Sequence, residues 1–197
     1  SGATYMDGTT DITRTYPLGE LTEDEKKFYT WTLQSHIDLA KAVWLDYCEC
    51  KMIDTIAREP LWRHLINYRC GTGHSVSFVG NVHEGPHSLR GTNSVLMRPG
   101  MVVTDEPGVY ETDLVGVRIE NELVCVHKAD NQYGTFLGFE PLMFVPIATS
   151  PILSGVLDRD EIDWLNNYHR TVFTKLAPHL NDEERVWLAE KCAAIGC

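Results

Sequence analysis

Apolar residues recur at helical spacing in the segment that follows Leu21. Thr22 is followed three residues later by Glu25, a pattern typical of a helix-capping box. The apolar stripe behind this cap consists of Phe28, Leu33, Ile37, Leu39, Ala40 and Val43. The pattern predicts a long helix that begins at Thr22.

Three further segments have the same helical spacing of apolar residues. A shorter helix is predicted over CKMIDTIAREPLW, residues 50–62, and Pro60 discourages its continuation. Near the C-terminus, two amphipathic segments begin on the cap residues Asp158 and Asn181. Their sequences are DRDEIDWLNNYHRTVFTKLAP and NDEERVWLAEKCAAI. The C-terminal part of the chain is therefore predicted to be helical.

The central part of the chain has the short apolar runs and frequent glycines of β-strands. Between Tyr68 and Val126 the strand candidates are HSVSFVGNVH, GMVVTDEPG and GVRIENELVCV. Because no helix separates these runs, an antiparallel sheet is favoured over a parallel one. The first residues, ATYM and TTDITRT, predict a hairpin with a tight turn at Asp7-Gly8. The predicted fold class is α+β, with helices that cover one face of a curved antiparallel sheet.

Length, charge and cysteine content narrow the class of protein. A chain of 197 residues is long enough for one domain with an apolar core. The net charge is -11 and the 17 Lys and Arg residues are scattered, so no nucleic-acid partner is expected. No apolar run reaches the roughly 18 residues of a membrane helix, so no membrane partner is expected. The chain shows no export signal and its 6 cysteines form no CxxC pair, so we expect free thiols and a cytoplasmic location.

Three acidic residues and one histidine lie inside strand-forming segments, where an ionised carboxylate is costly unless it is paired or binds a cation. They are Asp11 in TTDITRT, His74 in GTGHSV, Glu106 in VVTDEPG and Glu120 in VRIENELV. Together they indicate a shared metal site. Oxygen ligands with a single imidazole suit Mn2+ or Co2+ better than a structural zinc ion. The alternative is that each acid lies on a half-exposed strand and faces solvent.

Strand alternation adds candidate partners for these ligands, because side chains two positions apart share a face of a strand. Thr13 falls on the same side as Asp11, and Arg118 falls beside Glu120, where it could orient that carboxylate. His83 lies in the loop GNVHEGPH and could donate to a substrate or shuttle a proton. The alternative for His83 is a solvated loop residue.

Seven segments occur in the order seen in one enzyme family. They are DGTTDITRT, AREPLW, GTGH, NVHEGP, VVTDEPGVY, GVRIENELV and EIDWLNNYH. Over nearly its whole length the chain resembles the catalytic domain of Xaa-Pro aminopeptidase (aminopeptidase P), one of the pita-bread metallopeptidases, which also include prolidase and methionine aminopeptidase. The resemblance implies the pita-bread fold with its N-terminal half missing. It further implies a truncated catalytic domain over residues 1–150 and a C-terminal helical extension of that domain over residues 151–197.

The resemblance implies a metallo-aminopeptidase that removes the N-terminal residue from peptides with proline in second position. A water or hydroxide that bridges two metal ions would attack the peptide bond, and Mn2+ is the usual ion, with Co2+ or Zn2+ as alternatives. By motif match, Asp11 and Glu120 resemble the bridging carboxylates. His74 and Glu106 resemble the remaining ligands of one ion, and Glu106 also resembles the catalytic acid/base. His83 resembles the histidine that contacts the substrate and assists proton transfer.

The family carries an aspartate immediately before the position of Ser1, and this aspartate binds the second metal ion. We therefore expect zero or one ion in this chain and an impaired activity of the chain by itself. An exposed sheet edge and an uncovered apolar face predict self-association, as a homodimer or a larger assembly. The alternative function is a non-catalytic peptide- or protein-binding module on the same fold.

Overall fold

The structure, a computed structural model, describes residues 2–196. Within this part of the chain there are four α-helices and one short 3-10 helix at Ala177–His179. The α-helices are α1 (Glu23–Ala40), α2 (Cys50–Trp62), α3 (Arg159–Leu176) and α4 (Asp182–Lys191). Each predicted helix is confirmed, with bounds close to those expected.

The predicted caps account for the starts of three helices. At α1 the hydroxyl of Thr22 accepts from the backbone N–H of Glu25, and the Glu25 carboxylate accepts from the N–H of Thr22. Asp158 and Asn181 cap α3 and α4 in the same reciprocal way. Such a cap satisfies N–H groups that have no partner inside the helix and contributes about 1 kcal/mol. Pro60 lies inside the last turn of α2, and the helix continues two residues past it, to Trp62. The end of α2 therefore agrees with the prediction, and the proline itself is still helical.

Every strand pair between residues 2 and 196 is antiparallel, as predicted. The ten strands are β1 (Gly2–Tyr5), β2 (Gly8–Asp11), β3 (Val43–Leu45), β4 (Gly73–His74), β5 (Ser88–Leu89), β6 (Val102–Asp105), β7 (Gly108–Glu111), β8 (Val115–Arg118), β9 (Asn121–Asn131) and β10 (Gly134–Pro141). One sheet has the order β3-β10-β9-β6, and the other strands pair as β1-β2, β4-β5 and β7-β8. Single bridges join these pieces at Ser75–Val103 and Thr13–Glu120. The bridges produce a curved sheet in which β2 lies next to β9 and β4 lies next to β6.

The strands differ from the prediction at several places, and the predicted run GVRIENELVCV is divided between β8 and β9. Val43 lies in β3 and not on the helical stripe, because α1 already ends at Ala40. The strand β10 lies beyond the residues predicted to form strands. In the segment HSVSFVGNVH only His74 belongs to a strand, and the chain turns at Gly80, whose φ of 153° disfavours residues with a side chain.

The N-terminal hairpin is confirmed, but its turn lies one residue earlier than predicted. Tyr5 pairs with Gly8, so Met6 and Asp7 form the turn instead of Asp7 and Gly8. Gly8 has a φ of 145°, so its conformational freedom is used at the start of β2. The pairing continues to Asp11, which is thereby fixed at the end of β2.

Three buried apolar clusters lie in the described part of the chain, and the two larger ones pack helices against the sheet. The first joins α1 and α2 to β6, β9 and β10 through residues such as Leu39, Ile53 and Leu123. The second joins α1 to α3 through residues such as Leu33 and Leu165. Each fully buried Leu or Ile side chain contributes about 1.5–3 kcal/mol. Because side chains alternate along a strand, the neighbours of these core residues lie on the sheet face away from the helices.

Among residues 2–196, no helix combines the length and the apolar character needed to span a membrane.

One histidine is buried where α3 packs on the segment that follows β10. The side chain of His169 is fully buried, and its Nε2 accepts the backbone N–H of Ile147 at 3.1 Å. A ring nitrogen that accepts carries no proton, so the imidazole is neutral. Burial, assisted by the charge of Arg14, lowers the pKa of His169 to about 4. The folded protein therefore keeps His169 neutral at a pH where an unfolded chain protonates it.

We expect the contribution of His169 to the free energy of unfolding to decrease as the pH falls from 6.5 to about 4, whereas the raised carboxyl pKa values of Asp105, Glu120 and Glu122 act in the opposite direction. In this window the unfolded chain binds a proton at His169 and the folded chain does not, which destabilises the fold by at most about 3 kcal/mol. Urea unfolding between pH 4 and 7 measures the dependence, and His169→Gln should lack this contribution, so its stability relative to wild type should rise as the pH falls. His179→Gln, which removes an exposed imidazole, is the control. Equal slopes for wild type and His169→Gln would contradict the prediction.

Candidate metal centre

Four strand segments bring the predicted metal ligands together. Asp11 ends β2, His74 ends β4, Glu106 follows β6, and Glu120 lies between β8 and β9. Asp11, His74 and Glu120 each offer one ligand atom, and these atoms lie within 4.8 Å of one another. Oε1 of Glu106 lies 3.2 Å from Nε2 of His74. The four residues therefore meet at one place, although they come from distant parts of the sequence.

His74 is oriented to bind through Nε2. Its Nδ1 lies 3.1 Å from the carbonyl oxygen of Ser75, and because a carbonyl only accepts, Nδ1 carries the proton and donates it. The backbone N–H of His74 donates to Oγ1 of Thr104 at 3.0 Å. Nε2 faces Glu106 and Asp11, and it lies 3.6 Å from Oδ2 of Asp11. An imidazole fixed in this tautomer presents its lone pair to a cation.

Arg118 holds Glu106, whereas the sequence pattern predicted that it would orient Glu120. Nη1 of Arg118 forms an ion pair with Oε2 of Glu106, and Nε of Arg118 donates to the hydroxyl of Tyr110 at 2.8 Å. Strand pairing explains the difference. Arg118, the last residue of β8, pairs with Gly108 of β7, and Gly108 is only two residues past Glu106, so the guanidinium lies near the Glu106 carboxylate. A Cβ at Gly108 would lie 3.0 Å from Nε of Arg118, so the glycine leaves room for the guanidinium.

Thr13 contacts Glu120 across the bridge between their two segments. Oγ1 of Thr13 donates to Oε2 of Glu120 at 2.5 Å. The backbone N–H of Glu120 donates to the carbonyl oxygen of Thr13 at 3.0 Å. One residue pair thus holds both the backbone and the carboxylate of Glu120. Because Asp11 precedes Thr13 by two positions, the same bridge sets the separation of the Asp11 and Glu120 carboxylates.

Burial and mutual repulsion raise the pKa of two carboxyl groups at this site. Burial raises the pKa of Glu120 to about 7 against the Thr13 hydrogen bond, and the charges of Glu106 and Asp11 add to the rise. Burial and the charge of Asp11 raise the pKa of Glu122 to about 7 as well. Carboxylates crowded in this way favour a nearby cation, since each negative charge disfavours the next. A divalent ion fits the donor set of carboxylate oxygens and one imidazole.

The sequence analysis missed two residues that support the ligands. Oε1 of Glu122 accepts a hydrogen bond from the backbone N–H of Asp11 at 2.6 Å. The sequence held a signal for Glu122, because it is two positions from Glu120 and shares a face with it in the predicted strand. Nη1 of Arg14 donates to the carbonyl oxygen of Glu120 at 2.6 Å. No spacing rule identifies Arg14, because its acceptors are backbone oxygens from distant segments.

His83 lies at the open side of the cluster. Its ring centroid is 3.9 Å from that of His74, and its side chain is exposed. The loop that carries it is tied back by a hydrogen bond from the N–H of Glu84 to the carbonyl oxygen of Ser75, at 3.1 Å. A molecule that approaches the four ligands would therefore meet His83.

A buried pair supports the same strands from the helix side. Nδ1 of His36 lies 2.9 Å from Oδ2 of Asp105, and both side chains are fully buried. Burial raises the pKa of Asp105 to about 6, although His36 lowers it in part. Asp105 precedes the ligand Glu106, so the pair fixes β6 to α1 next to the site. His36 is a core histidine here, which is the assignment that its apolar helical context favours.

Two family models match the chain. The model of metallopeptidase family M24 matches residues 1–127, and the model of the C-terminal region of peptidase M24 matches residues 135–195. The first match contains the four clustered ligands and His83. The second match contains α3 and α4.

Two plant proteins illustrate the similarity to curated relatives. Aminopeptidase P1 of Lotus japonicus is 42% identical over 202 residues, which cover 100% of this chain and 30% of the relative. Aminopeptidase P2 of Arabidopsis thaliana is 46% identical over 186 residues, which cover 91% of this chain and 26% of the relative. The chain therefore spans no more than about a third of the length of these relatives.

Solved structures show the same fold. An X-prolyl aminopeptidase of Caenorhabditis elegans, described as a cytosolic enzyme with a di-nuclear active site, matches with a TM-score of 0.91 and 38% identity, over 98% of this chain and 32% of that one. Prolidase from Pyrococcus furiosus matches with a TM-score of 0.61 and 29% identity, over 72% of this chain and 39% of that one. The fold is the pita-bread fold that the sequence predicted. With its ligand cluster inside a family match over residues 1–127, the chain belongs to metallopeptidase family M24.

Proposed function

We propose that this chain is part of an Xaa-Pro aminopeptidase, which removes the first residue from peptides with proline in second position. The observation that carries the proposal is the meeting of Asp11, His74, Glu106 and Glu120 beside the exposed His83. The plant relatives and the Caenorhabditis elegans protein bear names of this activity. Because the chain spans about 30% of its relatives, the activity is proposed for the complete protein.

Mn2+ is the proposed ion, with Co2+ or Zn2+ as alternatives. Asp11, His74, Glu106 and Glu120 would hold the ions of a complete site through their carboxylate oxygens and the imidazole nitrogen. The crowded carboxylates and the available Nε2 of His74 support this assignment. In this chain alone the four residues are proposed to hold one ion. Such ions, when bound, acidify water and stabilise negative charge on a carbonyl oxygen.

Glu106 is the proposed acid/base of the reaction. Arg118 holds its Oε2, and the hydroxyl of Thr104 donates to its Oε1 at 3.1 Å, so the carboxylate has a fixed orientation. From this position Glu106 would take a proton from the attacking water and return it to the leaving amine. His83 would donate a ring N–H to the substrate, since it is exposed and lies against the ring of His74.

A cytoplasmic location is also proposed. The cysteines in the described part of the chain, Cys48, Cys50, Cys70, Cys125 and Cys192, are free thiols, which suits a reducing compartment. The Caenorhabditis elegans protein is described as cytosolic. The division into a catalytic domain over residues 1–150 and a helical extension over residues 151–197 remains a prediction.

Replacement of a ligand should weaken metal binding. Asp11→Asn and Glu120→Gln keep the side-chain size and remove the charge, so each should lower the Mn2+ affinity at least about tenfold. Isothermal titration calorimetry above pH 7 measures the affinity and should give one ion per chain. Glu140→Gln, which alters an exposed carboxylate on β10, is the matched control. Unchanged affinity in both ligand variants, or two tightly held ions per chain, would refute the assignment.

The complete protein should release the first residue from an Xaa-Pro peptide when Mn2+ is supplied. A peptide with alanine in place of proline should react much more slowly. Glu106→Gln should lower kcat by about 100-fold or more, since it removes the acid/base. Chromatography of the released amino acid measures the rate, with metal content determined for each variant. Metal binding without turnover would instead favour the non-catalytic peptide- or protein-binding module.

Self-association of the chain is proposed through an exposed apolar patch, the hairpin patch, formed by Tyr5, Met6 and Phe78. These side chains are 61%, 93% and 70% exposed, and Tyr5 and Phe78 line a cavity of about 850 Å3. A second copy that covers the patch would remove apolar surface from water. Light scattering should therefore give a mass above the 22.3 kDa of one chain.

The double variant Met6→Ser, Phe78→Ser should shift the mass towards the monomer. Leu18→Ser, at an exposed leucine outside the hairpin patch, should leave the mass unchanged. A wild-type mass equal to one chain would exclude this mode of association.

A further inference from the structure

Arg14 connects the metal centre to the C-terminal region of the chain. Nη1 donates to the carbonyl oxygens of Glu120 at 2.6 Å and of Thr13 at 2.9 Å. These oxygens belong to the two residues of the bridge that holds the Glu120 carboxylate. The guanidinium therefore binds both sides of the bridge at its backbone.

The other two nitrogens of Arg14 bind groups outside the bridge. Nη2 donates to the hydroxyl of Tyr168 at 2.8 Å, to the side-chain oxygen of Asn121 at 2.8 Å and to the carbonyl oxygen of Val145 at 2.7 Å. Nε donates to the carbonyl oxygen of Pro146 at 3.2 Å. A guanidinium has five N–H donors in a fixed plane, and this site supplies acceptors for all of them. A lysine ammonium could not reach the same set.

Tyr168 is the contact from the helix α3. Its side chain is buried, and its hydroxyl accepts from Arg14 and lies 3.0 Å from the carbonyl oxygens of Met143 and Val145. The ring stacks on Trp164 with a centroid distance of 5.4 Å and an interplanar angle of 3°, which fixes its orientation. The hydroxyl therefore has little freedom, and the position it sets for Arg14 is well defined.

The acceptors of Arg14 distinguish it from an ordinary surface arginine. Among the described contacts, no carboxylate pairs with Arg14, so its charge leaves the carboxylates of Asp11 and Glu120 free for a cation. Arg118 acts differently, since it pairs directly with the carboxylate of Glu106. Arg14 is thus suited to position the backbone of a ligand without competing for its oxygens.

We propose that Arg14 and Tyr168 form a clamp that positions Glu120 against Asp11, so that α3 controls the affinity of the metal centre. The clamp rests on the proposed function, because it presupposes that these carboxylates bind a metal ion. Arg14 and Tyr168 are positioning residues and touch neither the ion nor the substrate. The clamp links the segment of the first family match to the segment of the second.

Three variants test the clamp in the full chain: Arg14→Lys, Arg14→Gln and Tyr168→Phe. Calorimetry with Mn2+ should show about 10- to 100-fold weaker binding for both Arg14 variants, as for other groups that orient a metal ligand. Lysine should not restore the affinity, because it lacks the planar fork. Tyr168→Phe, which removes one oxygen atom, should weaken binding by about three- to tenfold. The visible absorption of the Co2+-loaded chain should change in the same variants.

Tyr29→Phe is the matched control for Tyr168→Phe. Tyr29 is buried in the same apolar cluster, and its hydroxyl donates to the carbonyl oxygen of Ala148 at 2.6 Å. Urea unfolding in EDTA gives the stability of each metal-free variant. Tyr29→Phe should lose about as much stability as Tyr168→Phe. Unlike Tyr168→Phe, it should keep the wild-type Mn2+ affinity and Co2+ spectrum.

The outcomes separate the clamp from the proposed function. Wild-type Mn2+ affinity and Co2+ spectrum in Tyr168→Phe and in Arg14→Lys would overturn the clamp. A wild-type chain that binds no Mn2+ or Co2+ would overturn the proposed metal centre itself. If the Arg14 variants fail to fold, Tyr168→Phe decides the result by comparison with Tyr29→Phe.

Discussion

The metal centre depends on one antiparallel bridge, between Thr13 and Glu120. These residues are 107 positions apart in the chain, and their pairing brings two acids, Asp11 and Glu120, to one side of the sheet. The bridge also supplies the hydroxyl that binds the Glu120 carboxylate. It is the backbone pairing that joins this segment to the strands carrying the other candidate ligands, since β1 and β2 pair as strands only with each other, and the bond from the Asp11 N–H to the Glu122 carboxylate adds a side-chain connection.

Two arginines lie at the candidate metal site, beside carboxylate and imidazole donors that suit a cation. Arg118 offsets the charge of Glu106, and Arg14 binds backbone oxygens next to Glu120. The carboxylate of Glu120 receives a neutral hydroxyl, and its pKa rises to about 7 mainly because it is buried. This arrangement keeps negative charge available where His74 presents Nε2. It is the electrostatic environment that a divalent ion stabilises.

The same strands serve the core with their alternate residues. Along β6, Thr104 faces the site and bonds to His74, whereas Asp105 faces α1 and pairs with His36. The strand β6, which leads to Glu106, is therefore fixed on both faces, by the polar contact to α1 and by the hydrogen bond within the site. Packing of this kind limits side-chain rotation and keeps the ligands in position for a metal ion.

Local sequence patterns were sufficient for the helices and for the selection of the candidate ligands. The capping boxes at Thr22, Asp158 and Asn181 act within three residues, so their effect is readable from the sequence. Acids in apolar strand segments were an equally local signal, because burying a charge requires compensation. The segments shared with a known family then supplied the fold and the proposed roles of the ligands.

What the sequence by itself determined is therefore the helices, the fold class and the four residues that the structure brings together as candidate ligands. Only the tertiary structure decided which partner each group takes. Arg118 binds Glu106 and not Glu120 because of the register between β7 and β8, and Arg14 acts through backbone oxygens. Strand register and backbone acceptors depend on how distant segments pack, and neither leaves a periodic trace in the chain.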